Sequence, residues 1–184
     1  YHFFKSKNEV NIISPNEYTD ILNFLPGSKD ILIYENDKMK CEDAFKKADV
    51  VFTLDFNSLS RARNLSSLIS SSTAKTIMID HHENPDNYAD ITISNSKMSS
   101  TCEMVYDFIC SIDKSKIDNK IATCIYTGIV ADTGSFRFPS TTSKTLKVGS
   151  ELINYGVNVT EIFEKLHNNF QFKRLKLLGS AINN

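Results

Sequence analysis

Short apolar runs broken by polar punctuation fill the first half of the chain, and helical spacing takes over in the second. "YHFFKSKNEV" opens with an aromatic cluster followed by lysines and reads as the last turns of a helix. EVNIIS (9–14) reads as a strand ended by Pro15-Asn16. Tyr18, Ile21, Leu22 and Leu25 give a short helical pattern that stops at Pro26-Gly27, DILIYE (30–35) reads as a strand, and 39–48 as a short helix. DVVFTLD (49–55) is nearly all apolar and β-prone, as expected of a strand covered on both faces. Leu59, Leu65, Leu68 and Ile69 have helical spacing, and KTIMID (75–80) and ADITIS (89–94) read as two more buried strands.

From residue 98 onward the pattern is helical. Cys102, Val105, Phe108, Ile109 and Ile112 predict one buried face, with Ser100 and Glu103 forming a capping-box pattern at its start. Further helices are predicted at 118–131, at 142–155 closed by Gly156, at 159–168, and in the final FKRLKLLGSAINN. Strands alternating with helices predict an α/β fold: a parallel sheet flanked by helices, followed by a helical half and a linker helix. The length of 184 residues fits one domain, and no repeat or flexible linker divides it.

Composition narrows the chemistry. Apolar content of 41% and charged content of 23% describe an ordinary globular chain, and a net charge of −1 provides no global field for a long polyanion. Any phosphate must be bound by local groups or metal ions. Cys41, Cys102, Cys110 and Cys124 form no C-x-x-C pair and predict buried thiols in a reducing compartment. No apolar run approaches the roughly 20 residues of a membrane span, and no secretion signal opens the chain, so a cytoplasmic location is expected.

"IMIDHHENPD" sets two of the four histidines side by side at the end of a predicted strand. In an open parallel sheet, ligands bind beyond the carboxyl ends of the strands. Asp55 ends one strand, Asp80-His81-His82 ends the next, and Asp132 follows the apolar helix 118–131. Mixed carboxylate and imidazole donors suit Mn²⁺, Fe²⁺, Co²⁺ or Zn²⁺. Adjacent side chains on extended backbone point oppositely, so one histidine is expected as ligand and the other facing substrate. Each piece also has a plainer reading: Asp55 and Asp132 as turn or cap residues, the histidines as a polar loop, Ser100 as a helix cap.

"MIDHHENPD", "SSTCEMVYDFI" and "YTGIVADTGSFRFPSTT" together closely resemble the DHH phosphoesterase superfamily, nearest its oligoribonuclease and 3′-phosphoadenosine-5′-phosphate (pAp) phosphatase branch. The resemblance implies a centre of two Mn²⁺ ions, with Mg²⁺ or Co²⁺ as substitutes. It places Asp55 as the aspartate bridging both metals, His81 and Asp132 as ligands of one, and His82 facing the scissile phosphate. Asp80 becomes an orienting residue and Arg137 a phosphate contact, a task that its planar fork suits. The implied reaction is attack of water on a phosphate ester of short RNA or of a nucleotide 3′,5′-bisphosphate, with His82 as the catalytic proton donor or phosphate ligand. Ser100, at a helix start, is a further candidate for holding phosphate oxygens. Homodimer formation is a further expectation.

The departures from the family pattern are as informative. Its first motif, a histidine followed by N-P-D-x-D, is not found: His2 precedes Phe3-Phe4, and "ENPDNYAD" belongs to the third motif. Residues 1–184 are therefore expected to be a catalytic domain without the first motif and without the C-terminal DHHA1-type lobe. Alone they are expected to be near inactive and to expose a sheet edge. The rival readings are a cyclic-dinucleotide phosphodiesterase, an exopolyphosphatase, a pyrophosphatase, or a non-catalytic nucleotide-binding regulatory domain. The residues encoded upstream of Tyr1 separate the last from the rest.

Overall fold

The computed structural model describes residues 1–167 and 172–182. In chain order, helix α1 (His2–Lys5) leads to strand β1 (Ile12–Ser14), a 3₁₀ turn (Asp20–Phe24), β2 (Ile31–Ile33) and α2 (Lys38–Lys47). Then come β3 (Val50–Leu54), a 3₁₀ segment (Leu59–Leu65) running into α3 (Ser66–Ser71), β4 (Lys75–Asp80) and β5 (Ile91–Ser94). The second half is helical: α4 (Thr101–Asp113), α5 (Asn119–Asp132), α6 (Ser143–Ile153), α7 (Val159–His167) and α8 (Phe172–Ile182).

All strand pairs are parallel, as the α/β alternation predicts, and the second half is helical. The strands form two hydrogen-bonded sets rather than one sheet, β1-β2 and β3-β4-β5. Ile13 of β1 and Leu32 of β2 pack with Cys41 of α2 and with Leu65 and Ile69 beneath them. A larger core fills the helical half around Ile121, Ile125, Ile129, Val148, Leu152 and Ile162, and it takes in Phe3 of α1. α4 lies between these regions, against β4 on one side and α5 and α6 on the other.

That placement corrects several expectations. β4 is buried along most of its length, but β3 pairs only with β4 and leaves Val50 and Leu54 each 45% exposed. β5, at the opposite edge of the three-stranded sheet, is also largely exposed. Ile109 is buried, and Cys102, Val105 and Phe108 pack against the core as expected. Because α4 is enclosed by a sheet and two helices, Met104 and Tyr106 are buried as well, and Ile112 at its far end is 52% exposed. The helix expected over 59–70 is broken at Arg63, whose backbone (φ 51, ψ −126) leaves helical space. The reciprocal capping box sits at Thr142 and Thr145, at the start of α6. Ser100 caps α4 by accepting from the Cys102 N–H at 3.0 Å, while Glu103 turns away to Ser99. The four cysteines are free thiols; Cys41 is fully buried, and burial pushes the half-buried Cys102 thiol up to about 12. Among the described residues no helix is long and apolar enough to cross a membrane.

Candidate metal centre

Parallel pairing of β3 with β4, with Leu54 opposite Ile79, brings the ends of the two strands side by side. Asp55 is thereby set next to Asp80-His81-His82, and its N–H donates to the Ile79 carbonyl at 3.1 Å. Its backbone is left-handed (φ 66), a conformation costing a non-glycine residue of order 1–3 kcal/mol that surrounding structure must hold. The following loops supply that hold. Asn57 Nδ2 donates to the Glu83 carbonyl at 2.6 Å, and the Asp86 N–H donates to the Asn57 carbonyl at 2.7 Å. The Tyr88 hydroxyl donates to the Phe56 carbonyl at 3.1 Å.

Asp55, His81 and His82 each offer a ligand atom within 4.8 Å of the others. His81 Nε2 lies 3.7 Å from Asp55 Oδ1, and His82 Nδ1 lies 4.0 Å from the same oxygen. Their tautomers follow from their partners. His81 Nδ1 is 3.2 Å from the Met98 carbonyl, which can only accept, so Nδ1 carries the proton and Nε2 presents a lone pair. His82 Nδ1 is 2.8 Å from Asp80 Oδ1, and the His82 backbone N–H donates to Asp80 Oδ2 at 2.9 Å. Asp80 is fully buried, so both its oxygens are spent on orienting His82.

Asp132, the last residue of α5, stands outside that tight trio but at the same edge. Ser100 Oγ donates to Asp132 Oδ2 at 2.5 Å, and the neighbouring Thr101 Oγ1 donates to Asp55 Oδ1 at 2.8 Å. Burial raises the Asp132 carboxyl above the ordinary carboxylate range; the Asp55 charge adds to this, while the Ser100 hydroxyl, His81 and His82 oppose it. Arg137 is exposed, its Nε donating to the Gly134 carbonyl at 2.7 Å, which ties it to its own turn rather than to the trio. Ser100 is fully buried, so its hydroxyl serves the helix and Asp132 and is closed to a phosphate. Beside His82 a cleft of about 460 Å³ opens, lined by residues 82–85 on one wall and 94–97 on the other.

The donor set fits a divalent cation of intermediate hardness: carboxylates plus imidazole nitrogens whose second ring nitrogens are already engaged. The Met98 carbonyl and the Thr101 hydroxyl escaped the sequence reading. No side-chain signal marks a carbonyl, and Thr101 looks like an ordinary first-turn residue.

The raised Asp132 carboxyl has a testable sign. The folded protein holds that proton to higher pH than the unfolded chain, so the stability it contributes is complete in acid and is lost as pH rises through the raised value. In metal-free protein, Asp132→Asn should therefore melt higher than wild type at neutral pH, with the difference vanishing in acid. Thermal melts across that range check this, and equal melting at neutral pH would contradict the burial argument.

Comparison with known proteins agrees with this architecture. Over 98 residues the chain is 44% identical to the bifunctional oligoribonuclease and PAP phosphatase NrnA of Bacillus subtilis, an alignment covering 52% of this chain and 31% of that protein. It is 35% identical over 108 residues to the probable Streptococcus mutans counterpart, covering 59% of this chain and 34% of that protein. The crystal structure of an exopolyphosphatase-related protein from Bacteroides fragilis superposes with a TM-score of 0.95 at 39% identity, covering all of this chain and 55% of the other. The chain thus aligns with about a third of the length of these curated relatives. The profile of the DHH family, N-terminal domain, matches residues 1–129, and the chain belongs to the DHH family.

Proposed function

We propose that this chain carries the catalytic centre of a metal-dependent phosphoesterase that hydrolyses short oligoribonucleotides and pAp. The observation that carries the reading is the convergence of Asp55, His81 and His82 at the carboxyl edge, within 4.8 Å of one another. The oligoribonuclease and PAP phosphatase relatives supply the substrate class.

Asp55, His81 and Asp132 would hold Mn²⁺, and Asp55 would take part in holding a second ion. When bound, the ions supply Lewis-acid polarisation and charge neutralisation at the phosphoryl group. The chain's own residues do the rest. Met98 and Asp80 fix the two imidazoles by their Nδ1 atoms, so that neither ring must reorganise during reaction. His82, half-buried beside the cleft, holds a proton at Nε2 for the departing oxygen, and Asp80 stabilises the charged ring. The bond from Nε to the Gly134 carbonyl would leave the terminal guanidinium nitrogens of Arg137 to meet a substrate phosphate.

A second reading, hydrolysis of inorganic polyphosphate, is favoured by the 39% identity with the exopolyphosphatase-related structure across the whole of this chain. The full protein, with Mn²⁺, should be offered pAp, a short RNA and a polyphosphate in parallel, with Mn²⁺ binding measured by calorimetry. Release of phosphate from pAp and of mononucleotides from RNA, abolished by a chelator, is the expected result. A preference for polyphosphate selects the second reading. Failure to bind Mn²⁺ would sink both.

A further inference from the structure

Three consecutive buried hydroxyls begin α4, and each donates to a different carboxylate. Ser99, Ser100 and Thr101 are 1%, 0% and 4% exposed. Ser99 Oγ donates to Glu103 Oε2 at 2.6 Å, turning into the protein interior, where Thr145 Oγ1 also donates to that oxygen at 3.0 Å. Ser100 and Thr101 turn the other way, to Asp132 and Asp55. The residue just before them, Met98, holds His81 through its carbonyl. One four-residue segment therefore touches every residue assigned above as a ligand.

Helix capping accounts for only part of this. A cap needs Ser100 Oγ to accept the Cys102 N–H, which it does; it does not need the hydroxyl proton to reach Asp132. Thr101, the first residue of α4, needs no side-chain bond to begin a helix, yet its hydroxyl spans from α4 to the end of β3. The Asp55 side chain is 53% exposed and sits on a left-handed backbone, so without an anchor its carboxylate is free to rotate into solvent.

We propose that Ser100 and Thr101 are positioning residues for the metal-ligating carboxylates, an assignment that rests on the metal-dependent reading above. Each hydroxyl occupies one lone pair of its carboxylate and fixes rotation about the Cβ–Cγ bond, so that the remaining lone pairs point toward the His81 side of the crevice. Partners of this kind around ligands typically change metal affinity by about 10–100-fold.

The test measures Mn²⁺ affinity of the full protein by calorimetry, alongside melting of the metal-free form. Thr101→Val keeps the shape and removes the donor; it should weaken Mn²⁺ binding by about 10–100-fold, and Thr101→Ser should restore most of it. Ser99→Ala is the control: it removes an equally buried hydroxyl from the same helix start, so it should lower the melting temperature while leaving Mn²⁺ affinity unchanged. Wild-type affinity in Thr101→Val overturns the assignment, as does an equal loss in Ser99→Ala. Absence of Mn²⁺ binding by the unaltered protein, with His81→Ala indistinguishable from it, would instead remove the reading beneath it.

Discussion

Replacing His82 with alanine is expected to lower turnover of pAp by about 10²–10⁴-fold, the range of a general acid, while the protein keeps its bound Mn²⁺. The argument starts from Asp80. With zero exposure, its carboxylate has no water to turn to, and both oxygens accept from His82, one from the backbone N–H and one from Nδ1. The imidazole is thereby held through Nδ1, which leaves Nε2 uncommitted in a residue that lines the cleft a phosphate ester would enter. His81 is gripped differently, by a neutral carbonyl that leaves Nε2 a lone-pair donor 3.7 Å from Asp55. A charged partner suits a ring that gains a proton, and a neutral one suits a ring that donates to a cation. Asp55→Ala and His81→Ala should accordingly lose metal and activity together. Metal analysis of the purified variants decides the matter. If His82→Ala comes out metal-free, the trio of Asp55, His81 and His82 is the ligand set, and the division between the histidines is mistaken.

Gly128→Ala should destabilise the helical half by overpacking. A Cβ at that position would lie 2.1 Å from Cys102 Sγ and 3.0 Å from Cys102 Cβ, where α5 meets α4. No real contact is that short, so the helices must separate or Cys102 must leave its rotamer. Overpacking of this kind costs roughly 1–3 kcal/mol, and at about 2–4 °C per kcal/mol for a chain of this size melting should fall by several degrees. Because α4 carries Thr101 and α5 ends at Asp132, the separation should also weaken Mn²⁺ binding. Combining Gly128→Ala with Cys102→Ala removes the obstructing sulfur, and most of the loss should return. A double variant no more stable than the single one would show that the glycine is needed for something other than close helix approach.

The same pair of helices shows where reading along the chain succeeds and where it stops. β4 was legible to the residue, 75–80, since its apolar run lies between polar turn segments and is buried by neighbours on both faces. α5 and α6 were legible because Asp118 and Thr142 cap their starts and Gly156, at φ 82, follows the end of the second. The face α4 buries was legible in part: Ile109, Cys102, Val105 and Phe108 pack on the core as expected. Met104 and Tyr106 are buried too, because its neighbours are a sheet, α5 and α6, and no single periodic stripe encodes contact with three partners at once. β3 misled for a related reason, because an apolar run reports only that a strand can be covered, not that neighbours lie on each side of it.

The site divides along the same line. The sequence by itself determined the chemistry available, carboxylates and adjacent imidazoles at predicted strand and helix ends, because residue type and local periodicity are carried by neighbours in the chain. It also carried the family, through motifs spread from Asp55 to Asp132. Only the tertiary structure decided which donors meet. Parallel pairing of β3 with β4 placed Asp55 beside His81, α5 brought Asp132 to the same edge, and the start of α4 supplied Met98, Ser100 and Thr101 to hold them. Those contacts join segments far apart in sequence, and their geometry depends on how whole elements pack; no local pattern of residues contains it.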